Sequence, residues 1–398
     1  MFLPKQILYE KNVENYELGR ELLEKYKDIP KMIIENHNNI PEMRGKQNCE
    51  FVDMKKNLII GIRKTHKFVP NHKTSDFLVP YTSSGCTAMC MYCYLVCNFN
   101  KCSYLRLFVN REEMLEKIIK TANRLPPTTT FEIGSNSDLV LENTITGNLP
   151  WTIENFIRTP NGILTFPTKF DMVDPILPLN HNGKIIVRMS LNPEEIINKI
   201  EFGTSRLNNR IEAINKLVEA GYTVGVLIAP VVLVDNWKEL YENLLKQMLD
   251  QLSLKAKKEI FFEIIFMTYS YVHNAINHEA FPNAIELYNK EQMIGRGRGK
   301  YAYRTAIKEE ANIADGWMDV CLISNVKRHQ IVKLAKKYQE GTHTQYKNLV
   351  SMYQAKTVHI DTENEIIYAN LDGEVKEFKN PTIEIVEKAI RLALPRIS

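Results

Sequence analysis

Cys86, Cys90 and Cys93 stand at C-x3-C-x2-C spacing within Gly85–Tyr94, directly after an apolar run, Phe77–Tyr81, that reads as a strand. Three thiolates this close together suit an iron–sulfur cluster, whose cubane form has four irons. Three protein ligands leave one iron open to a small molecule, and that separates a reactive cluster from an electron carrier. The alternative is structural zinc, with Cys97 or Cys102 as fourth ligand. Such zinc sites usually join two distant C-x2-C pairs, whereas these cysteines crowd one loop.

Further chemistry-bearing residues follow later apolar runs: Glu132, Ser137, Lys169 and Ser190. Placed at successive strand ends they would converge, and a lysine with serines there can bind carboxylate and ribose oxygens. Each alone also reads as a loop polar group satisfied by backbone. Near residue 300, Gly295–Arg304 holds Arg296, Arg298, Lys300, Tyr301, Tyr303 and Arg304 with no acid. Glycines permit close backbone approach and cations neutralise phosphates, which points to nucleic acid; a solvated basic loop is the plain alternative. Arg63, Lys64 and Lys67 would extend the patch.

The elements that must position these residues alternate. Strand candidates are Phe77–Tyr81, Thr129–Ile133, Gly162–Phe166, Lys184–Met189, Thr223–Ile228 and Glu259–Phe266, with amphipathic segments at Arg111–Ala122, Pro193–Ile200, Ser205–Ala220 and Trp237–Leu252. The third segment has a hydroxyl N-cap candidate at Thr204 or Ser205 and a stop at Gly221. Six strands each followed by a helix imply a parallel sheet, too few for an eight-fold barrel. The fold class expected is therefore α/β, an open partial (β/α)6 barrel over 76–305 with its reactive loops beyond the strands' C-terminal ends. Residues 1–75 form an N-terminal α/β extension with a helical start at Val13–Tyr26. Residues 311–398 are mainly β, with one helix candidate (His329–Tyr338), alternating runs at Val358–Ile360 and Ile366–Asn370, and a turn at Asp372-Gly373.

Composition adds bounds. The chain has 398 residues, 44% hydrophobic and 25% charged, with a net charge of only +4. No stretch of apolar residues is long enough to span a membrane, and the N-terminus lacks a secretory core. Seven cysteines, an odd number with four between 86 and 97, argue against a disulfide framework and for a reducing, cytoplasmic setting.

The cysteine spacing after a first barrel strand resembles the radical S-adenosylmethionine (SAM) superfamily, in which the open iron of a [4Fe-4S] cluster chelates SAM and the resulting 5′-deoxyadenosyl radical abstracts hydrogen from substrate. The resemblance narrows to the spore photoproduct lyase family across residues 1–305. It rests on Gly61–Thr65, Gly85–Leu95, Phe131-Glu132 with Ser137-Asp138, Thr168–Phe170, His181–Lys184, Arg188–Asn192, Glu201–Ser205, Ala229-Pro230 and Gly299–Tyr303. It implies a DNA-repair lyase that abstracts hydrogen from C6 of a thymine dimer, splits it by β-scission into two thymines and returns a hydrogen. By position it implies that Cys86, Cys90 and Cys93 hold the cluster, that Ser137, Lys169 and Ser190 contact SAM, and that Tyr92 and Tyr94 serve hydrogen return. Arg296, Arg298, Lys300 and Tyr301 would bind DNA. The partners implied are ultraviolet-damaged double-stranded DNA and a reductant such as flavodoxin or ferredoxin.

One position departs from the family. Its members carry a cysteine as hydrogen donor in F-E-x-x-C-x-S-D, and here that residue is Ser135. A serine O–H bond is too strong to replace a thiol in that role. The expectation is that Cys97 or Cys102 takes over, with Cys97, three residues beyond Tyr94, the catalytic candidate. A radical SAM paralogue with another substrate is the competing reading.

From Ala314-Asp315-Gly316 onward, through Gly341–His343, Ala355-Lys356, Asn370–Glu374 and Ala393–Pro395, the chain resembles the end of diacylglycerol-kinase-like lipid kinases. That resemblance makes Glu374 a candidate base and places the Asp315 loop near a structural magnesium. The nucleotide-binding half with its G-G-D-G-T signature has no counterpart upstream, so kinase activity is not expected. A docking appendage, a fusion trace, or a lipid-kinase-like binding protein are the readings open for this segment.

Overall fold

Six parallel strands lie side by side in the computed structural model, which describes residues 2–71, 75–98, 102–304, 318–323, 350–355, 357–361, 365–371 and 374–384. The strands are Phe77–Leu78, Thr130–Glu132, Ile163–Thr168, Ile185–Leu191, Thr223–Val231 and Phe261–Phe266, neighbours in that order, with Val69–Pro70 antiparallel at one edge. The sheet curls into a half-barrel; all six strands overlap the segments read from the sequence, and three of them (Ile163–Thr168, Ile185–Leu191 and Thr223–Val231) run two or three residues further. Four connections carry the helices Arg111–Ala122, Leu139–Thr146 with Asn148–Phe156, Glu194–Ile200 with Leu207–Glu219, and Trp237–Gln251 with Leu254–Glu259. Between the third and fourth strands a short 3-10 turn, Asp174–Ile176, stands where a helix was expected.

The central strands are buried on both faces, as near-continuous apolar runs require: Val224, Val226, Leu227 and Ile228 are all buried. Within them Arg188, only 3% exposed, lies 2.6 Å from Glu132 and 3.3 Å from Glu263. Its Nε donates to Thr165 at 3.0 Å. Glu132 therefore belongs to an ion-paired network spanning four strands and does not line the cavity at their ends, contrary to the expected convergence.

Residues 1–75 form more than an appendage. Gln6–Glu10, Lys31–Ile34 and Asn57–Gly61 build a parallel sheet completed by Arg106–Phe108, with Ser83–Ser84 antiparallel at its end. Period-two alternation sends Ile7, Leu58 and Ile60 to one core with Leu18 and Leu22, and Leu8 and Ile59 to another with Phe51 and Cys102. The expected boundary at 75 is thus crossed twice, by strands on either side of the cysteine loop. The loop is suspended between the two sheets.

Residues 1–307 form one compact unit and 308–398 another. In the second, three antiparallel pairs are described: Met318–Ile323 with Val350–Ala355, Thr357–His359 with Thr382–Glu384, and Ile367–Leu371 with Glu374–Phe378. The last ladder reaches Leu371 opposite Glu374. Asp315, His329–Tyr338, Gly341–His343 and Asp372-Gly373 themselves lie outside the described residues. Among the described residues no helix is long and apolar enough to cross a membrane.

Candidate active site

A cavity of about 330 Å³ opens at the C-terminal ends of the barrel strands, within the range of small-ligand pockets. Cys86, Cys90 and Cys93 line one side, Ser135, Ser137, Lys169 and Ser190 another, and Phe266, Met267 and Thr268 a third. Tyr92 and Tyr94 also reach it.

The cysteine loop is fixed by main-chain bonds on every side. Gly85 N donates to Asn136 O at 2.8 Å, Cys86 N to Ser103 O at 3.2 Å and Met91 N to Ile200 O at 3.0 Å. Met89–Cys90 pairs antiparallel with Glu201–Phe202. Gly85 has φ +77°, and a Cβ there would lie 2.0 Å from Tyr104 O, so only glycine enters the loop at this point. The buried Lys55 donates to Cys86 O at 2.8 Å and Ser103 O at 3.0 Å.

Among the described residues no three His, Cys, Asp or Glu side chains stand close enough to share one metal ion, yet the three loop thiols face one cavity. Burial pushes the Cys86 thiol up to about 12 and Cys90 higher still. Thiols so placed become thiolates only against a bound cationic centre. The zinc alternative loses its fourth ligand. Cys97 Sγ lies 3.3 Å from Ser270 Oγ, and the buried Cys102 Sγ donates to Phe51 O at 3.7 Å.

Neither Cys97 nor Cys102, the expected hydrogen donors, is among the residues that line the cavity. Cys97 packs beside Ser270 and His273, and Cys102 belongs to the core under the N-terminal sheet. Ser135 itself does line the cavity, and its carbonyl accepts the Tyr94 hydroxyl.

Lys169 meets a carboxylate that sequence reasoning left without a role. Glu201 is fully buried, with Lys169 Nζ at 3.0 Å from Oε1 and Arg210 at 2.8 Å from Oε2. Asn192 donates at 2.7 Å, and so does the Tyr92 hydroxyl. Burial would raise this carboxyl, but Lys169 and Arg210, with the Tyr92 and Asn192 bonds, hold it at about 2. Lys169 Nζ also donates to Ser190 Oγ at 2.6 Å and Ala229 O at 2.8 Å, which matches all three ammonium protons to protein acceptors. Lys169 therefore acts at the cavity wall as a positioned charge and not as the free donor its position suggested. Ser137 is 2.6 Å from Ser83 Oγ, whose own proton goes to Glu142. Ser137 thus donates to Ser83 and presents lone pairs to the cavity. Asp138 caps the helix Leu139–Thr146 and accepts from Thr168 Oγ1 at 2.8 Å and Lys169 N at 2.9 Å.

The expected hydroxyl cap of the next helix is also redirected. Leu207–Glu219 starts after Arg206, and Leu207 N donates to Glu194 Oε2 at 2.9 Å. Thr204 instead accepts from Arg210 at 2.6 Å, and Ser205 bonds Asp171. Arg210 carried a readable signal, since it is a cation on the stripe shared by Ile214 and Leu217. Lys55, His273 and Asn277 carried none, because their partners are main-chain carbonyls distant in sequence.

The basic residues occupy a hairpin. Met293–Gly295 and Lys300–Tyr303 pair antiparallel, and Thr268–Ser270 adds a third strand whose Thr268 lines the cavity. Arg296, Arg298 and Lys300 are exposed at the tip, and the Tyr301 ring lies tilted against Tyr288 with centroids 4.7 Å apart. The sequence placed these four residues together, and the fold sets them on a sheet whose strand Thr268–Ser270 reaches the cavity through Thr268.

A half-barrel that presents a three-cysteine loop at its open end defines a radical SAM enzyme. A spore photoproduct lyase family profile matches residues 2–322. The chain belongs to the spore photoproduct lyase family. It is 33% identical over 311 residues to the spore photoproduct lyase of Bacillus subtilis (strain 168), covering 76% of this chain and 91% of that protein. Against that of Clostridium acetobutylicum it is 31% identical over 308 residues, covering 75% and 90%. Two solved structures each superpose with TM-score 0.72 at 30% identity over 78% of this chain and 93% of theirs. One is a spore photoproduct lyase complexed with dinucleoside spore photoproduct, the other a variant that also binds AdoMet. Residues 292–394 match the YegS C-terminal NAD kinase beta sandwich-like domain, in keeping with the lipid-kinase likeness of the sequence.

Proposed function

We infer that this chain carries out its family's reaction on its own substrate, the spore photoproduct in ultraviolet-damaged DNA, and releases two thymines. The observation that carries the reading is the shared cavity, where three loop thiols face Ser137, Lys169 and Ser190 across about 330 Å³. Cys86, Cys90 and Cys93 would hold a [4Fe-4S] cluster, which when bound supplies the electron that cleaves SAM. Lys169 adds positive charge at the wall for a carboxylate, and Ser137 offers an acceptor for a ribose hydroxyl. Ser190 holds the Lys169 ammonium in place. The apolar side formed by Phe266 and Met267 keeps water from the reacting carbons.

A lesion inside a duplex is out of reach, so the dimer must be extruded toward the mouth. Arg296, Arg298, Lys300 and Tyr301 are placed to hold the flanking phosphates and bases. With Ser135 facing the cavity and Cys97 turned away, the phenol of Tyr94 is the weakest X–H bond there that is not a cluster ligand. We assign it the return of hydrogen to the product radical. The resulting phenoxyl takes an electron and a proton from the external reductant, of the flavodoxin or ferredoxin class. Tyr92, whose hydroxyl is engaged with Glu201, orients that carboxylate. We place the protein in the reducing cytoplasm.

Anaerobic turnover on spore-type irradiated DNA tests the reading. Thymine release dependent on SAM is expected. SAM cleavage without any thymine release would favour a paralogue with another substrate. We give the residues after 308 no catalytic step and read them as a docking or stabilising unit.

A further inference from the structure

We propose that His273 and Asn277 are positioning residues that hold the cysteine loop by its carbonyls and tie it to the basic hairpin, so that duplex DNA on the hairpin tightens the loop at Cys93. The coupling to DNA rests on the function inferred above; the hold on the loop does not.

The connection is a single helix, Tyr271–Ala280, that grows directly out of the hairpin's sheet. Ser270 stands opposite Lys300 in that sheet and caps the helix. Tyr271 N donates to Gly299 O at 3.0 Å. The Tyr271 ring occupies the space a Cβ on Gly299 would need, 2.1 Å away. The hairpin tip therefore rests on the helix's first residue. Further along the helix, on its buried side, His273 Nε2 lies 3.1 Å from Cys93 O, and Asn277 Nδ2 donates to Met91 O at 2.9 Å. These two side chains are four residues apart, hence stacked on one stripe, and both are buried. Asn277 Nδ2 is held in turn at 2.9 Å from the Tyr269 hydroxyl.

The hydrogen-bond directions are fixed. A carbonyl oxygen only accepts, so His273 Nε2 carries the proton and Nδ1 accepts from Ser270 Oγ at 2.8 Å. Ser270 Oγ can then accept from Cys97 Sγ at 3.3 Å. Cys97, Ser270, His273 and the Cys93 carbonyl thus form one chain with a single sense of donation, which sets the ring's tautomer and its orientation. Groups that orient metal-ligating residues in this way change metal retention markedly when removed. Here they also stand on the helix whose first residue carries the basic hairpin at Gly299.

The test compares full-length, cluster-loaded native protein with His273→Ala, His273→Gln and Asn277→Leu by the rate of iron release to a chelator, with and without a short duplex DNA. Without DNA, His273→Ala and Asn277→Leu should release iron faster, on the order of tenfold, and His273→Gln, which keeps a donor, should stay near native. Duplex should slow release from the native protein and from His273→Gln but not from His273→Ala. Hydrogen exchange over residues 88–98 should follow the same order. Native release rates in His273→Ala and Asn277→Leu would overturn the hold on the loop. An equal duplex effect in all four proteins would overturn the tie to the hairpin. Failure of thymine release would leave the DNA-free comparison standing.

Discussion

The cysteine loop and the arginine hairpin both contact one helix, Tyr271–Ala280, and are built on opposite plans. The loop is held by main-chain bonds to both sheets, by Lys55 underneath and by His273 and Asn277 behind, with a glycine where nothing larger fits. The hairpin tip makes few side-chain contacts, and Gly297, Arg298 and Gly299 all take positive φ. Chemistry on a bound small molecule demands fixed distances, so its support is buried and over-determined. Recognition of a polyanion needs charge within reach and tolerates variation in shape, so its support is exposed. Substitutions in the loop should therefore act all-or-none, and those in the hairpin by degrees.

The largest effect should come from Cys86→Ala, which removes one of three ligands. Bound iron and thymine release should both fall below detection, while duplex binding persists. Persisting SAM cleavage would break the assignment of the loop.

Next is Glu201→Gln. It leaves Arg210 and Lys169 buried without their counter-charge, a loss of about 3–5 kcal/mol, seen as a lower Tm. The same carboxyl gives a pH signature. Its folded value of about 2 lies below the ordinary 4.5, so its contribution is complete above 4.5 and is lost as pH falls from there toward 2. Native Tm should drop across that interval, and E201Q should drop less. Parallel pH profiles would show that Glu201 is not the coupled group.

Tyr94→Phe should leave SAM cleavage near native while intact thymine gives way to aberrant adducts. Ser135→Cys in that background should restore thymine, because it returns a thiol to a cavity-facing position. No change in product in either variant would place the hydrogen donor elsewhere.

The smallest effect is expected for Arg298→Ala. Duplex affinity should weaken with the slope of log K against log salt reduced by about 1, at unchanged Tm and iron content. A loss of iron would mean that the two regions are less separable than their construction suggests.

Much of this was legible from residues alone. Strand residues such as Val224–Ile228 are apolar on both faces because helices or other strands cover both, so all six barrel strands stood out as runs. The cysteine triplet was readable because its ligands are neighbours in sequence. The first 75 residues were harder. Their sheet borrows Arg106–Phe108 and Ser83–Ser84 from beyond the boundary, and a three-residue or two-residue strand carries no period. Glu201 was visible as a residue but not as a hub, since its partners Tyr92, Lys169, Asn192 and Arg210 come from four separate segments.

The order of residues by itself determined the barrel strands, the three-cysteine loop, the basic run and the missing thiol at Ser135, because each is a local pattern or a single position. The direction each side chain takes was decided only by tertiary structure. Cys97 is three residues from Tyr94, yet the packing of helix Tyr271–Ala280 turns its thiol to Ser270 and away from the cavity. Lys169 has the charge to bind an anion, yet a buried carboxylate thirty-two residues later claims its ammonium. Composition sets which groups exist; burial decides which of them must satisfy one another first.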